Sequence, residues 1–597
     1  MIIPLITATV MLQAGLPRLS VHGADFVDPS GKPVLLKGCN VGNWLVNEFW
    51  MFGIEGQKNV PKDQWSLEQT LSRRFGSAED LRLMNVFRSS WMTERDWKNI
   101  QTYHFNLVRV PFNYRLLEDD DRPKQLRSDA FYWLDKAVSE ADRHGLYVIL
   151  DLHGVQGGQT LNDHTGRSGQ NKLWSVPENQ DRMAWLWRQI AQHFRGRNNV
   201  IGYDPMNEPY GGTKPEVVSV FKKAYVAIRS VDPETLIFAH GATDNFDHFG
   251  DPKVNGWHNV GFQMHYYPGL FGDAERIKSN ISHLNRLKSV AKKVKDLNVP
   301  FLVGEMNVVI SKSGGASMMR RFFDAHASYG WLTTMWSYKV ITGSGGVDGG
   351  SWGMFTNEGP ARSVDFENGS ESDIEDYFKS FATQKLMPYE ELRQDLTLEH
   401  PALKPLPKEE TPRTVAPKDD VLPGWTSSDV GGALKGGLEV HGTSFDLYGG
   451  GDDIWGSSDQ FRFLHQAADG DFDLEVTLQA VEDTQGYTKA GLMVRSSLSP
   501  DAATALLSVF PNGGTQIGVR GEDKGEISAS DAPKTPLPGS KLRISRRGST
   551  LLFYVNGSKV GEKSAIGLQG KVLVGPIALS HTNGELTKIQ YRDLSLK

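Results

Sequence analysis

The chain has 597 residues, a formal net charge of −6, and 39% hydrophobic against 23% charged side chains. That length exceeds what one hydrophobic core fills, so two or more domains are expected, and no basic excess points to a nucleic-acid partner. The single cysteine, Cys39, excludes an internal disulfide and a multi-cysteine zinc site.

Residues 2–14 form an apolar run of signal-peptide length without a basic flank. They read as a signal peptide or its remnant within residues 1–17, with a secreted or periplasmic setting. No other stretch approaches the roughly 18 apolar residues of a membrane-spanning helix. Asp28-Pro29-Ser30-Gly31 is a turn signal between Leu19–Gly23 and Pro33–Leu36, which predicts a hairpin. Leu35 to Cys39 then starts the first core strand, with Cys39 as buried packing. From about 61 to 104 the pattern is helical, and Thr93 with Asp96 reads as a capping box ahead of Trp97 and Ile100.

Seven more apolar strands follow: Phe105–Pro111, Leu146–His153, Val200–Tyr203, Thr235–His240, Val260–His265, Pro300–Glu305 and Trp331–Ser337. Helical patterns at 131–144, 185–194, 215–230, 281–296 and 316–329 lie between them. Continuous apolar runs mark strands buried on both faces and hence parallel. The expected fold class is therefore α/β, a (β/α)8 barrel over residues 18–396. An open doubly wound sheet is the alternative, but Gly38-Cys39-Asn40-Val41-Gly42-Asn43 is not its phosphate-binding glycine turn.

Prolines 401, 405, 407, 412 and 417 mark residues 397–422 as a stiff, solvated linker. From 423 to 597 the pattern changes to period-two runs such as Phe472–Leu478 and Leu552–Val555, the latter followed by an Asn556-Gly557 hairpin turn. This predicts a separate antiparallel β-sandwich. Asp452 and Asp453 there form either a calcium site or a solvated turn.

In a parallel barrel, reacting groups sit at the C-terminal strand ends. Those ends carry Asn43 and Glu48, Arg109, His153, Asn207 with Glu208, His265 with Tyr267, Glu305, and Trp336, with only the fifth end lacking such a group. Two strand-terminal glutamates, Glu208 and Glu305, are what double-carboxylate glycoside hydrolysis needs.

Val108-Arg109-Val110-Pro111, Asp151-Leu152-His153-Gly154, Asn207-Glu208-Pro209, His265-Tyr266-Tyr267, Gly304-Glu305 and Trp336-Ser337-Tyr338 together resemble glycoside hydrolase family 5 over residues 20–390. The resemblance implies a retaining enzyme with Glu208 as acid/base and Glu305 as nucleophile. It implies that Arg109 and Tyr267 orient Glu305, and that Arg109 keeps it ionised while Glu208 has the raised pKa. Asn207 would bind the sugar 2-hydroxyl, His153 and His265 would line the same subsite, and Trp336 would floor it. Asn43-Trp44-Leu45-Val46-Asn47-Glu48-Phe49-Trp50 is similar to a segment of exo-β-1,3-glucanases whose glutamate clasps the non-reducing-end sugar, which makes Glu48 the candidate. Two positions depart from the family pattern: His104 stands where a Gly precedes Phe-Asn-x-Val-Arg, and Asn43 where Gly-Gly-Trp is usual.

The implied partner is a β-glucan oligosaccharide or polysaccharide, with no cofactor, metal, nucleic-acid, membrane or protein partner indicated. Endo-β-1,4-glucanase and a non-catalytic glycan-binding barrel remain alternatives. The sandwich resembles laminin-G or concanavalin-like modules through Ile454–Phe461, so it is either carbohydrate-binding or a spacer. Gly349-Gly350-Ser351-Trp352-Gly353 fits the serine-hydrolase motif, but it lies in a glycine-rich loop rather than a strand–turn–helix.

Overall fold

The computed structural model describes residues 15–55, 57–241, 246–268, 277–310, 314–343, 352–397 and 413–597, and the side chains of 277–282 are not considered. The apolar run 2–14, the first three residues of the Gly349–Gly353 motif and linker residues 398–412 lie outside the described residues. The chain divides into two compact units, Met1–Leu270 with His283–Pro405 and Phe271–Ser282 with Leu406–Lys597.

The first unit is a closed barrel of eight parallel strands: β1 Lys37–Asn40, β2 Leu107–Asn113, β3 Tyr147–Gly154, β4 Val200–Asp204, β5 Leu236–His240, β6 Val260–Tyr266, β7 Phe301–Met306 and β8 Leu332–Met335. They pair in chain order, and β8 closes on β1. Apart from the half-buried Lys37, every residue of these strands is buried, as expected for strands packed on both faces. Gly38 permits the close β1–β2 approach: a Cβ there would lie 1.7 Å from the Leu107 carbonyl oxygen. Leu107, Ile149, Ile201, Leu236, Phe238, Leu302 and Leu332 form one cluster of the barrel core.

Helices α1 Gln64–Phe75, α2 Ser77–Trp91 and α3 Glu94–Gln101 follow β1, and α4 Tyr132–Arg143 follows β2. Then come α5 Pro177–Phe194 after β3, α6 Lys214–Arg229 after β4, α7 Ile277–Leu297 after β6 and α8 Gly315–Ser328 after β7. After β5 the described residues hold only a 3-10 turn, Asp247–Phe249, so the alternation is incomplete there. The capping box at α3 forms as its spacing predicts. Asp96 does more than cap, however, because it also ion-pairs with the buried Lys339 at 2.9 Å.

The N-terminal hairpin differs from its prediction. Ser20–His22 pairs with Asp25–Val27, so the chain reverses at Gly23, whose φ of +64° suits a tight turn. Asp28 instead organises a second turn by accepting the N–H groups of Ser30 and Lys32 at 2.8 and 3.0 Å.

The two departures from the family pattern, His104 and Asn43, share a backbone property. Their φ values are +52° and +61°, in the left-handed region where glycine is free of strain. Asn43 offsets this with its side chain: its Oδ1 accepts the Glu48 N–H at 2.9 Å.

The second unit is a sandwich of two seven-stranded antiparallel sheets. One runs Thr426–Val430, Phe461–Ala468, Val572–Leu579, Lys489–Arg495, Thr504–Val509, Thr515–Arg520, Ser528–Ala532. The other runs Gly437–His441, Ser444–Gly449, Thr587–Leu596, Phe472–Val481, Ser540–Arg547, Thr550–Val555, Ser558–Ser564. Leu474, Val476, Leu492, Val494, Leu507, Ile544 and Phe553 fill the core between them. Asn556 and Gly557, at φ +50° and +82°, make the predicted hairpin turn. Residues 413–422 differ from a free linker. Lys418 and Asp420 exchange backbone hydrogen bonds with Leu438, and Arg413 pairs with Glu482 at 2.6 Å.

Candidate active site

Groups from β1, β3, β4 and β7 converge on Arg109 of β2, which is buried to 0% exposure. Its Nη1 donates to Glu305 Oε1 at 2.9 Å and to Asn40 Oδ1 at 3.0 Å. Its Nη2 donates to Asp204 Oδ2 and Asn207 Oδ1, both at 2.8 Å, and lies 3.1 Å from Asp151 Oδ1. Burial opposes the guanidinium charge, but Asp151, Asp204 and Glu305 outweigh it and hold Arg109 above its usual range. The reverse holds for two of the acids: burial raises Asp151 to about 7 and Asp204 to about 6 despite Arg109. One cation only partly offsets the burial of three carboxylates.

Glu305, at the end of β7, is 4% exposed. The Tyr267 hydroxyl donates to its Oε2 at 2.6 Å. Burial pushes the Glu305 carboxyl well above the ordinary carboxylate range, the Glu208 charge adds to this, and Arg109 and the Tyr267 hydrogen bond pull it down. The sequence reading assigned the raised value to Glu208 and an ionised state to Glu305. For Glu305, burial and the Glu208 charge work against that ionised state, and Arg109 and Tyr267 work for it.

Glu208 follows β4 at φ +39°, a strained conformation for a residue with a side chain. Its N–H donates to His240 Nδ1 at 3.1 Å. Its Oε1 accepts from His265 Nδ1 at 2.7 Å, and the same nitrogen lies 3.4 Å from Glu305 Oε2. One ligand atom each from Glu208, His265 and Glu305 lie within 4.8 Å of one another. Burial holds His153, His240 and His265 well below 6.5, so all three are neutral imidazoles.

His153 is fixed from both sides. Its Nδ1 donates to Asp151 at 2.7 Å, its Nε2 accepts from Asn207 Nδ2 at 3.3 Å, and its ring stacks on Trp336 at 5.5 Å. Asn207 is 0% exposed, and its amide oxygen is committed to Arg109. Glu48 is half-buried and accepts from Trp50 Nε1 at 2.8 Å. Burial raises its carboxyl to about 8 against the Trp50 hydrogen bond, and the Asp163 and Glu208 charges add to the rise. Trp50 meets Trp352 at 6.1 Å, and Trp352 meets Tyr267 at 5.7 Å. A continuous aromatic line thus joins Glu48 to the tyrosine that holds Glu305.

The fifth strand end, read from sequence as bare, carries His240; the signal was present, since Phe238-Ala239-His240 ends an apolar strand like the others. Asn40, Asp151 and Asp204 were also missed, because each looks like an ordinary strand residue until Arg109 is placed among them. His164 was missed as a loop residue; its Nε2 lies 3.6 Å from Glu208 Oε2. In the sandwich, Asp453 faces Lys489 and His581, and Asp452 accepts the Asn583 N–H, so protein donors occupy these two carboxylates. None of the predicted site residues lines the cavity of about 690 Å3 enclosed partly by Trp65, Arg88 and Arg115.

A closed parallel barrel thus brings two carboxylates close together at the ends of its fourth and seventh strands. Residues 75–340 match the family model for cellulase, glycosyl hydrolase family 5. A β-xylosidase from Phanerodontia chrysosporium is 32% identical over 42% of this chain and 52% of its own length. A probable glucan 1,3-beta-glucosidase A from Aspergillus clavatus is 25% identical over 50% of this chain and 70% of its own. The chain thus spans between about half and 70% of these relatives' lengths. The crystal structure of an endogalactoceramidase is 17% identical, covering 86% of this chain and 100% of that one with a TM-score of 0.45. No helix among the described residues is long and apolar enough to cross a membrane.

Proposed function

We propose that this protein is a retaining β-glycosidase acting on β-glucan, with release of glucose from the non-reducing end of β-1,3-linked chains. The observation that carries the reading is the Glu208–His265–Glu305 trio, whose ligand atoms lie within 4.8 Å. Retaining glycosidases hold their carboxyl groups about 5–5.5 Å apart, whereas inverting ones leave 6.5–9.5 Å for a water. Glu305 attacks the anomeric carbon while Glu208 protonates the departing oxygen. Glu208 then takes a proton from water, which hydrolyses the glycosyl–Glu305 ester. His265 Nδ1–H holds Glu208, and Tyr267 and Arg109 hold the attacking carboxyl in line. Trp336, stacked on His153, supplies a flat floor for the sugar ring.

The exo reading draws support from Glu48 and the aromatic line from Trp50 through Trp352 to Tyr267, which offers a wall and a hydrogen-bonding carboxyl for a terminal sugar. A polymeric glucan substrate, met outside the cell, supports a secreted or periplasmic setting. The name of the Phanerodontia relative favours a second reading, in which the terminal sugar is xylose. Product profiles on laminarin, cellulose, mixed-linkage glucan and aryl β-xylosides test both. Glucose alone from laminarin, as the β-anomer by NMR, is expected. Mixed oligosaccharides would overturn the exo assignment, and an α-anomer the retaining one.

A further inference from the structure

Trp455 sits at the tip of a two-residue hairpin in the sandwich, paired with Ser458, and is 45% exposed. Among the described residues four aromatic side chains are exposed: Tyr132, Tyr210, Trp455 and Tyr487. Two of these, Trp455 and the 38% exposed Tyr487, are linked through Lys489 and Phe510. Lys489 joins them. It is 3% exposed, and its Nζ lies 5.9 Å from the Trp455 ring centre and 5.7 Å from that of Phe510. Tyr487 stands edge-on to Phe510 at 6.0 Å and lies 5.3 Å from the His581 ring. Below them Asp453 ion-pairs with Lys489 and faces His581 Nε2 at 3.3 Å. His581 is held at φ +62°, strain of the kind that accompanies ligand sites.

The ligand chemistry follows from what the patch lacks as well as from what it holds. Lys489 is paired with Asp453, so the one cation beneath Trp455 is not free to hold a polyanion. What is exposed is flat apolar surface beside carboxylate and imidazole groups. A pyranose matches both: its axial C–H face packs on an aromatic ring, and its equatorial hydroxyls bond to the polar groups. The buried lysine fixes Trp455 in place, which cuts the ordering cost of binding.

We propose that Trp455, Tyr487 and the Asp453–His581 edge form a saccharide-binding site on the sandwich that takes a neutral β-glucan chain. The choice of glucan rests on the function proposed above; the site itself does not.

The test uses the full-length chain carrying Glu305→Gln, so that polymer is not consumed. Retention on insoluble β-1,3-glucan and on cellulose is compared with and without Trp455→Ala, Tyr487→Ala and Trp455→Phe, with thermal melts alongside. The expected result is retention by the parent, a loss of about tenfold or more for each alanine variant, and partial recovery with phenylalanine. In the Glu305-intact chain, the same changes should leave hydrolysis of a soluble aryl glycoside unaltered. A parent that is not retained, or alanine variants retained equally, would overturn the proposal. If Trp455→Ala lowers the melting temperature, Tyr487→Ala decides alone. Absent hydrolysis by the unmutated chain would overturn only the catalytic reading.

Discussion

Arg109 and Glu305 lie 196 residues apart in sequence and are joined by a 2.9 Å hydrogen bond across the barrel mouth. This contact anchors the Glu305 carboxyl to a guanidinium that also binds Asp151, Asp204, Asn40 and Asn207. Losing either partner of a buried pair leaves the other uncompensated, which costs far more than the pair contributes.

Arg109→Met should therefore destabilise the barrel by about 3–5 kcal/mol and abolish turnover. Urea unfolding measures the first. Stability within about 0.5 kcal/mol of wild type, the size of an ordinary surface change, would refute the hub.

The two glutamates should separate kinetically. Glu305→Gln removes the nucleophile and should stop all substrates. Glu208→Ala should spare glycosylation from substrates with good leaving groups, and azide should restore turnover as the β-glycosyl azide. Isolation of the α-azide would reverse the assigned roles.

The raised Glu305 carboxyl predicts a pH profile. The nucleophile must lose its proton, so the acidic limb of kcat/KM should lie above the ordinary carboxylate range near 4.5, with activity growing as pH rises through it. A limb at or below 4.5 would contradict the site's electrostatics.

Glu48 should leave a mark on stability. Its folded value, about 8, exceeds the ordinary 4.5. Its contribution is therefore fully present below pH 4.5 and is lost as pH rises towards 8. Glu48→Gln, which mimics the neutral carboxyl, should flatten the fall in melting temperature between those values. The same variant should keep most kcat/KM at pH 6, whereas Glu48→Ala should lose about 10- to 200-fold on laminari-oligosaccharides. Parallel melting profiles for wild type and Glu48→Gln would show a carboxyl that titrates normally.

His104→Gly offers a backbone test away from the chemistry. A side chain in the left-handed region costs about 1–2 kcal/mol, and glycine returns about 0.5–1 of that as unfolded-chain entropy. A net gain of about 0.5–1 kcal/mol in urea unfolding is expected, with activity unchanged. A destabilised variant would show that the His104 side chain earns its strained position.

The barrel was legible because its signal is local. A strand buried on both faces must be apolar throughout, so eight such runs and their helices stand out without any knowledge of contacts. Strand-end glutamates are legible for the same reason, since a carboxylate that ends an apolar run needs a use. The sequence by itself therefore determined the architecture and placed Glu208 and Glu305 at strand ends. Tertiary structure alone decided what those residues do to one another. Asp151 and Asp204 become a charge cluster only when β3 and β4 bring them to Arg109 on β2. Asp96 is a helix cap in sequence and a buried ion-pair partner in space. How tightly Glu305 holds its proton depends on its depth and on Glu208, Arg109, Tyr267 and Asp151, which other parts of the chain contribute. Burial and Coulomb interaction act through distance in space, and chain order carries neither.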